Sequence, residues 1–168
     1  MMEVLLPLLN HPHDHSPRIK CASNMRQIGL GAIMYAASNG GRFPDDLDTL
    51  MDSQDLSPVV LMCPDSTGDV PAEPTTREVV STMRKSNLIS YTYAGKGLTT
   101  QASAHTVLLY ERLGSHGDGM NVLFADGHVE YLEANEAQIV LKQAASGSSP
   151  ILYPMPTSQP TTLPATRQ

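Results

Sequence analysis

The seventeen residues His116-Gly-Asp-Gly-Met-Asn-Val-Leu-Phe-Ala-Asp-Gly-His-Val-Glu-Tyr-Leu132 constrain the fold more than any other part of the chain. They read as two short strands joined at Asp126-Gly127, a pair suited to a two-residue type I′ turn with positive φ at both centres. A turn placed there sets the cross-strand pairs. Phe124 faces Val129 and Val122 faces Tyr131 on an apolar side. Ala125 faces His128 and Leu123 faces Glu130 on a mixed side. A slip of one residue would send every side chain to the other face.

The apolar side needs a partner, and the N-terminal third supplies one. Ser16-Pro17 has the form of a helix start, with serine at the N-cap and proline at the first helical position. Cys21, Met25, Ile28, Ala32 and Tyr35 then recur at spacings of four and three, giving one apolar stripe to about Ser38. Gly29 and Gly31 lower helix propensity by about 1 kcal/mol each relative to alanine. In return they let another element approach closely. Asn39-Gly40-Gly41 closes the helix with a left-handed cap. The plan is α+β: a long N-terminal helix packed on a small antiparallel β-sheet, with the mixed face left to solvent or to a neighbour.

The remaining elements are shorter. Residues 44–51 form a brief helix with proline and acidic residues in its first turn. Residues 59–63 are an apolar run stopped by Pro64, and 64–76 a loop. Residues 77–88 read equally as helix or loop. Residues 90–94 and 106–111 are strands, and 133–145 a helix whose Ile139 and Val140 face the core. Residues 1–17 form an irregular N-terminal segment and 18–145 the domain. Residues 146–168, rich in Ser, Pro and Thr, form a disordered tail.

Composition excludes several function classes. The formal net charge of −6 and the dispersed Lys and Arg offer no footprint for nucleic acid. The apolar run Val4–Leu9 is far short of the roughly twenty residues that a membrane span requires. Neither a basic leader nor a cleavage site precedes it, so the chain as given shows no signal or transmembrane segment. No G-x-S-x-G, phosphate-loop or H-E-x-x-H pattern occurs, and Cys21 on a buried stripe has no nearby base in sequence. An enzyme is not expected.

Cys21 and Cys63 leave two readings open. One is a disulfide closing a loop of roughly forty residues, worth about 4 kcal/mol by loop entropy. The other is a pair of buried free thiols. His116 and Asp126 flank a strand, and ten extended residues span about 33 Å. They are therefore read as separate structural devices, not shared ligands. A fold-back of residues 113–119 is the arrangement that would overturn this. Glu111, His116 and Asp118 form the remaining metal-ligand candidates, with calcium the ion that such oxygens suit. His11, His13 and His15 with Asp14 could chelate copper or nickel, though such tracts are usually solvated linkers. His105 and His128 are read as surface residues without partners.

Four ordered fragments carry a resemblance. These are Cys21–Leu30, Tyr35–Pro44 with Asn39-Gly-Gly-Arg-Phe-Pro44, Met62-Cys63-Pro64-Asp65, and Asn121–Val129 with His116 nine residues ahead of Asp126-Gly127. Together they resemble the planctomycete-type, pseudopilin-like family of type II secretion that carries an H-x9-DG element. The match spans roughly residues 18–132. The resemblance implies a type IV pilin-like fold and a non-enzymatic structural role in a type II secretion or type IV pilus assembly. It implies contacts with other pilin-like subunits or secretion-system proteins, no cofactor, and an extracytoplasmic or inner-membrane-associated location. Leu5-Leu-Pro-Leu-Leu9 resembles only the end of the family's hydrophobic helix, so membrane contact requires a helix that the sequence as given lacks. The alternative is a pilin-domain derivative that binds a partner or a metal ion. Calcium binding by the main pseudopilins uses a C-terminal loop that does not map onto the residues above.

Overall fold

The periodic stripe forms one rod. In the computed structural model, which describes residues 15–153, helix α1 runs His15–Ser38 and buries Cys21, Met25, Ile28, Ala32 and Ala36 completely. Gly40 and Gly41 turn the chain away at positive φ, and the Gly41 amide donates to the Ala36 carbonyl at 2.8 Å. Helix α2 (Leu47–Ser53) starts later than the sequence suggests, because Asp46, not Pro44, sets its boundary. The Asp46 carboxylate accepts the Thr49 amide at 2.7 Å as an N-cap. The apolar run after it becomes a 3-10 turn at Pro58–Leu61. The ambiguous stretch is helix α3 (Thr76–Lys85), N-capped by Thr75 and packed on α2.

Strands β1 (Tyr91–Tyr93), β2 (Val107–Glu111), β3 (Met120–Phe124) and β4 (Val129–Leu132) form an antiparallel meander in chain order, and helix α4 (Ala134–Ala145) follows behind a capping box. The two central strands are buried at every residue. This requires cover on both faces of the sheet. Helix α1 covers one face, where Leu109, Leu123 and Val129 pack. Helix α4 covers the other, over Val107, Tyr110, Val122 and Phe124. A bulge between Val107 and Leu109 puts Leu108 and Leu109 together on the α1 side.

The hairpin differs from its sequence reading by one residue. Val122 pairs with Glu130, Leu123 with Val129 and Asn121 with Tyr131. The turn therefore has three residues, Ala125-Asp126-Gly127. The Phe124 amide donates to the His128 carbonyl at 3.0 Å, and the Gly127 amide returns to the Phe124 carbonyl at 2.9 Å. Only Gly127 has positive φ, at 91°; Asp126 does not. This is a type I turn closed by one left-handed glycine, the usual three-residue hairpin loop. Leu123 consequently faces α1, while Phe124 and Val122 face α4. On the side expected to be mixed and solvated, Leu123 and Ala125 are buried, while His128 and Glu130 are exposed.

Three smaller expectations also change. Ile139 is 42% exposed and only Val140 of that pair is buried. His128 is not partnerless: its ring stacks on Phe124 at 4.3 Å between centroids and bonds to the Asp126 carboxylate. Residues 151–153, placed in the disordered tail, return to the sheet instead. The Val107 amide donates to the Ile151 carbonyl at 2.9 Å, and Ile151 and Tyr153 are buried against the Phe124 side. The apolar pair Ile151 and Tyr153 outweighs the polar composition around it. Residues 1–14, with His11, His13 and Asp14, and residues 154–168 lie outside the described residues.

Candidate functional site

Four segments meet under the N-terminal half of α1. Cys21 comes from the buried stripe of the helix. Alternation along β2 places Glu111 on the same face as Leu109, and Tyr91 pairs with it from β1. Cys63 follows the 3-10 turn, whose exit is fixed by two bonds. Asn24 donates to the Met62 carbonyl at 3.2 Å, and the Cys63 amide donates to Ser90 Oγ at 2.8 Å. His116 comes from the loop after β2.

That loop folds back. The Tyr131 hydroxyl donates to the His116 carbonyl at 3.0 Å and accepts the Gly119 amide at 3.0 Å. The Gly114 amide closes the loop on the Gly119 carbonyl, and the Arg18 guanidinium lies over the Tyr131 ring at 4.4 Å. The fold-back turns the His116 ring inward, leaving its side chain 3% exposed.

Cys21 Sγ, Cys63 Sγ and a His116 ring nitrogen all lie within 4.8 Å of one another. His116 Nε2 is 3.5 Å from Cys63 Sγ and 3.6 Å from Glu111 Oε1. His116 Nδ1 is 3.9 Å from the carboxylate of Asp65, a residue open to solvent. Glu111 is 1% exposed, and its Oε2 accepts the Asn121 amide at 2.8 Å. Asn121 in turn donates from its side chain to the Arg18 carbonyl, tying the strand to the helix.

Two buried side-chain oxygens among the described residues lack a hydrogen-bond partner, Glu111 Oε1 and the Tyr91 hydroxyl, and both sit at this cluster. Burial pushes the Cys21 thiol well above its ordinary range, and the Cys63 thiol and the Glu111 charge add to the rise. Burial likewise raises the Tyr91 phenol, with Cys21 and Glu111 contributing. Both cysteines are free thiols. A protonated, enclosed thiol is a poor nucleophile. The same atoms are good ligands for a cation that displaces the protons.

The sequence candidates are therefore sorted by the fold. His116 and Glu111 come together, whereas Asp118 is exposed and makes none of these contacts. Asp126 bonds to the His128 amide and ring and takes no part in the cluster. Cys21 and Cys63 adjoin each other and have the histidine neighbour that linear sequence did not reveal. Tyr91, Asp65 and Tyr131 adjoin the cluster although the sequence does not mark them as site residues. One signal existed for Glu111: it is the only charged residue of an otherwise apolar strand, on the same parity as Leu109. Among the described residues no helix is long and apolar enough to cross a membrane. The chain matches no protein-family model, no curated protein and no solved structure.

Proposed function

We propose that this chain is a non-enzymatic, pilin-like structural protein, related to type II secretion pseudopilins or type IV pilins and located outside the cytoplasm or at the inner membrane. It acts by contact of its long helix with other pilin-like subunits or secretion-system proteins. The observation that carries the reading is the outer face of α1. Ile19, Leu30 and Met34 are 59%, 61% and 54% exposed there, although the opposite face is fully packed. At 100° per residue these positions fall within a stripe about 60° wide. A helix apolar on its free side as well as its buried side has a surface for a partner. The ordered motifs along residues 18–132 supply the pilin-like character of the reading. The helix laid on a four-stranded antiparallel sheet is compatible with it.

The test is a photo-cross-linking amino acid placed at position 30 in cells of the native host, with position 142 on α4 as control. The expected result is adducts at position 30 with a second copy or with another subunit whose sequence has the same helix-then-sheet order. Equal labelling at the two positions, or adducts with unrelated abundant proteins only, refutes the proposal.

A further inference from the structure

We propose that Cys21, Cys63 and His116, with the Glu111 carboxylate beside the histidine, form a structural binding site for a divalent transition metal ion, with zinc the ion that its donors suit. This inference is independent of the pilin-like reading. The donor set comes first: two sulfurs and one imidazole nitrogen converge, with a carboxylate oxygen adjoining the nitrogen, and all are ligand types of zinc. Their spacing agrees. Zinc bonds of about 2.3 Å to sulfur and about 2.0–2.2 Å to nitrogen and oxygen give a tetrahedron with edges of about 3.3–3.8 Å. Two distances from His116 Nε2 fall in that range, 3.5 Å to Cys63 Sγ and 3.6 Å to Glu111 Oε1. Cys21 Sγ completes the group within 4.8 Å of the other sulfur and the ring nitrogen.

The second, independent observation is the pair of orphaned oxygens. Glu111 is almost wholly buried, and the oxygen that faces His116 has no partner. Native interiors rarely leave such an atom unpaired. A cation between Glu111, His116 and the sulfurs would satisfy it. The Tyr91 hydroxyl beside Cys21 would then have a thiolate to donate to.

The surrounding contacts have the form of an outer shell. Asp65 lies 3.9 Å from His116 Nδ1, the nitrogen turned away from the sulfurs, as a nearby charge without a direct hydrogen bond. Asn121 holds the other Glu111 oxygen, Ser90 holds the Cys63 backbone, and Tyr131 holds the His116 backbone. A surface depression of about 370 Å³, lined by Cys63, Asp65, Ser66 and Ser115 among others, provides an entry path. Binding replaces two S–H bonds by two metal–sulfur bonds and releases two protons to solvent, with no change in oxidation state. Cys21, Cys63 and His116 supply three positions and Glu111 stands beside them, so the ion would clamp α1 to the two loops.

The experiment uses the full chain, purified under reducing conditions, with zinc counted by elemental analysis and cobalt(II) substituted as a spectroscopic probe. To remove the histidine tract as a competing site, the same is done with His11, His13 and His15 replaced by alanine. The expected result is one zinc per chain in both proteins. The cobalt form should show thiolate charge-transfer absorption and the strong visible bands of a tetrahedral centre. Cys63→Ser should remove much of the charge-transfer intensity. Three results overturn the proposal. One is reduced wild-type protein that retains no zinc and gives only the weak spectrum of hydrated cobalt. Another is zinc retained equally by Cys21→Ser/Cys63→Ser. The last is a Cys21–Cys63 disulfide in protein isolated from the native host.

Discussion

Replacing Gly29 and Gly31 by alanine, one at a time, tests which face of the hairpin meets α1. In an exposed helix each change would stabilise by about 1 kcal/mol through helix propensity. The surroundings then decide the sign. A methyl group at Gly29 would stand 2.8 Å from Leu123 Cδ1 and 3.3 Å from Cδ2. Leu123 is completely buried in the middle of β3 and cannot swing aside. Overpacking of this kind costs about 1–3 kcal/mol, so Gly29→Ala should lose about 1 kcal/mol net. Gly31 has an equally short approach, 2.8 Å to Leu56 Cδ1, but Leu56 is only partly buried, in the loop after α2, and has more room to move than Leu123. Gly31→Ala should leave stability unchanged or raise it by up to about 1 kcal/mol. Leu123→Ala alone should cost about 2–5 kcal/mol. In the double variant the new methyl enters the space that Leu123 vacated, giving a favourable coupling of about 1–3 kcal/mol. Urea denaturation of the four proteins of the cycle measures this, and a loss of 1 kcal/mol appears as about 2–4 °C in Tm. No coupling between positions 29 and 123, or Gly29→Ala as stable as wild type, would mean that Leu123 points away from α1 and that the three-residue turn is wrong.

Two other perturbations read different parts of the molecule. The Thr49 amide, opposed by partial burial and aided by the Thr49 side chain, Arg84 and Arg77, holds the Asp46 carboxyl below the ordinary carboxylate range. Its folded pKa is thus lower than its unfolded one, so its stabilisation is present above about pH 4 and lost as pH falls through the folded value. Asp46→Ala should therefore cost about 1 kcal/mol at pH 7 and progressively less toward pH 2, as measured by urea midpoints; a pH-independent loss would count against the cap. Tyr131→Phe removes the hydroxyl shared by His116 and Gly119. It should destabilise by about 1–3 kcal/mol and speed exchange of the Gly119 amide at least tenfold, and unchanged protection of that amide would show that the loop is held by something else.

Much of the fold was readable because it follows from period. The α1 stripe, the strand alternation and the Gly40-Gly41 stop are local patterns, and each element formed where its pattern lay. The hairpin register was not local in that sense. Asp-Gly supports both a two-residue and a three-residue turn, and the apolar side of the two-residue reading looked better because it assumed one solvated face. Packing on both faces removed that assumption. Ile151 and Tyr153 were missed for a related reason: two apolar residues in a polar tail have no period, and their burial depends on an edge that only the finished sheet presents.

The cluster at Cys21 was least legible, since its members are far apart in sequence and each has an ordinary explanation when taken alone. The H-x9-DG spacing nevertheless connects it to the turn. The nine residues between His116 and Asp126 are the end of the loop, strand β3 and the first turn residue, Ala125. The three-residue turn then places Tyr131 opposite Asn121, on the face toward α1. From there its hydroxyl reaches back to the His116 carbonyl and holds the ring against Cys63 and Glu111. A two-residue turn would set Tyr131 opposite Val122, on the α4 face, and leave the loop unheld. The glycine at 127 thus acts at a distance. By fixing the register, it decides whether the histidine eleven residues earlier is presented to the two thiols.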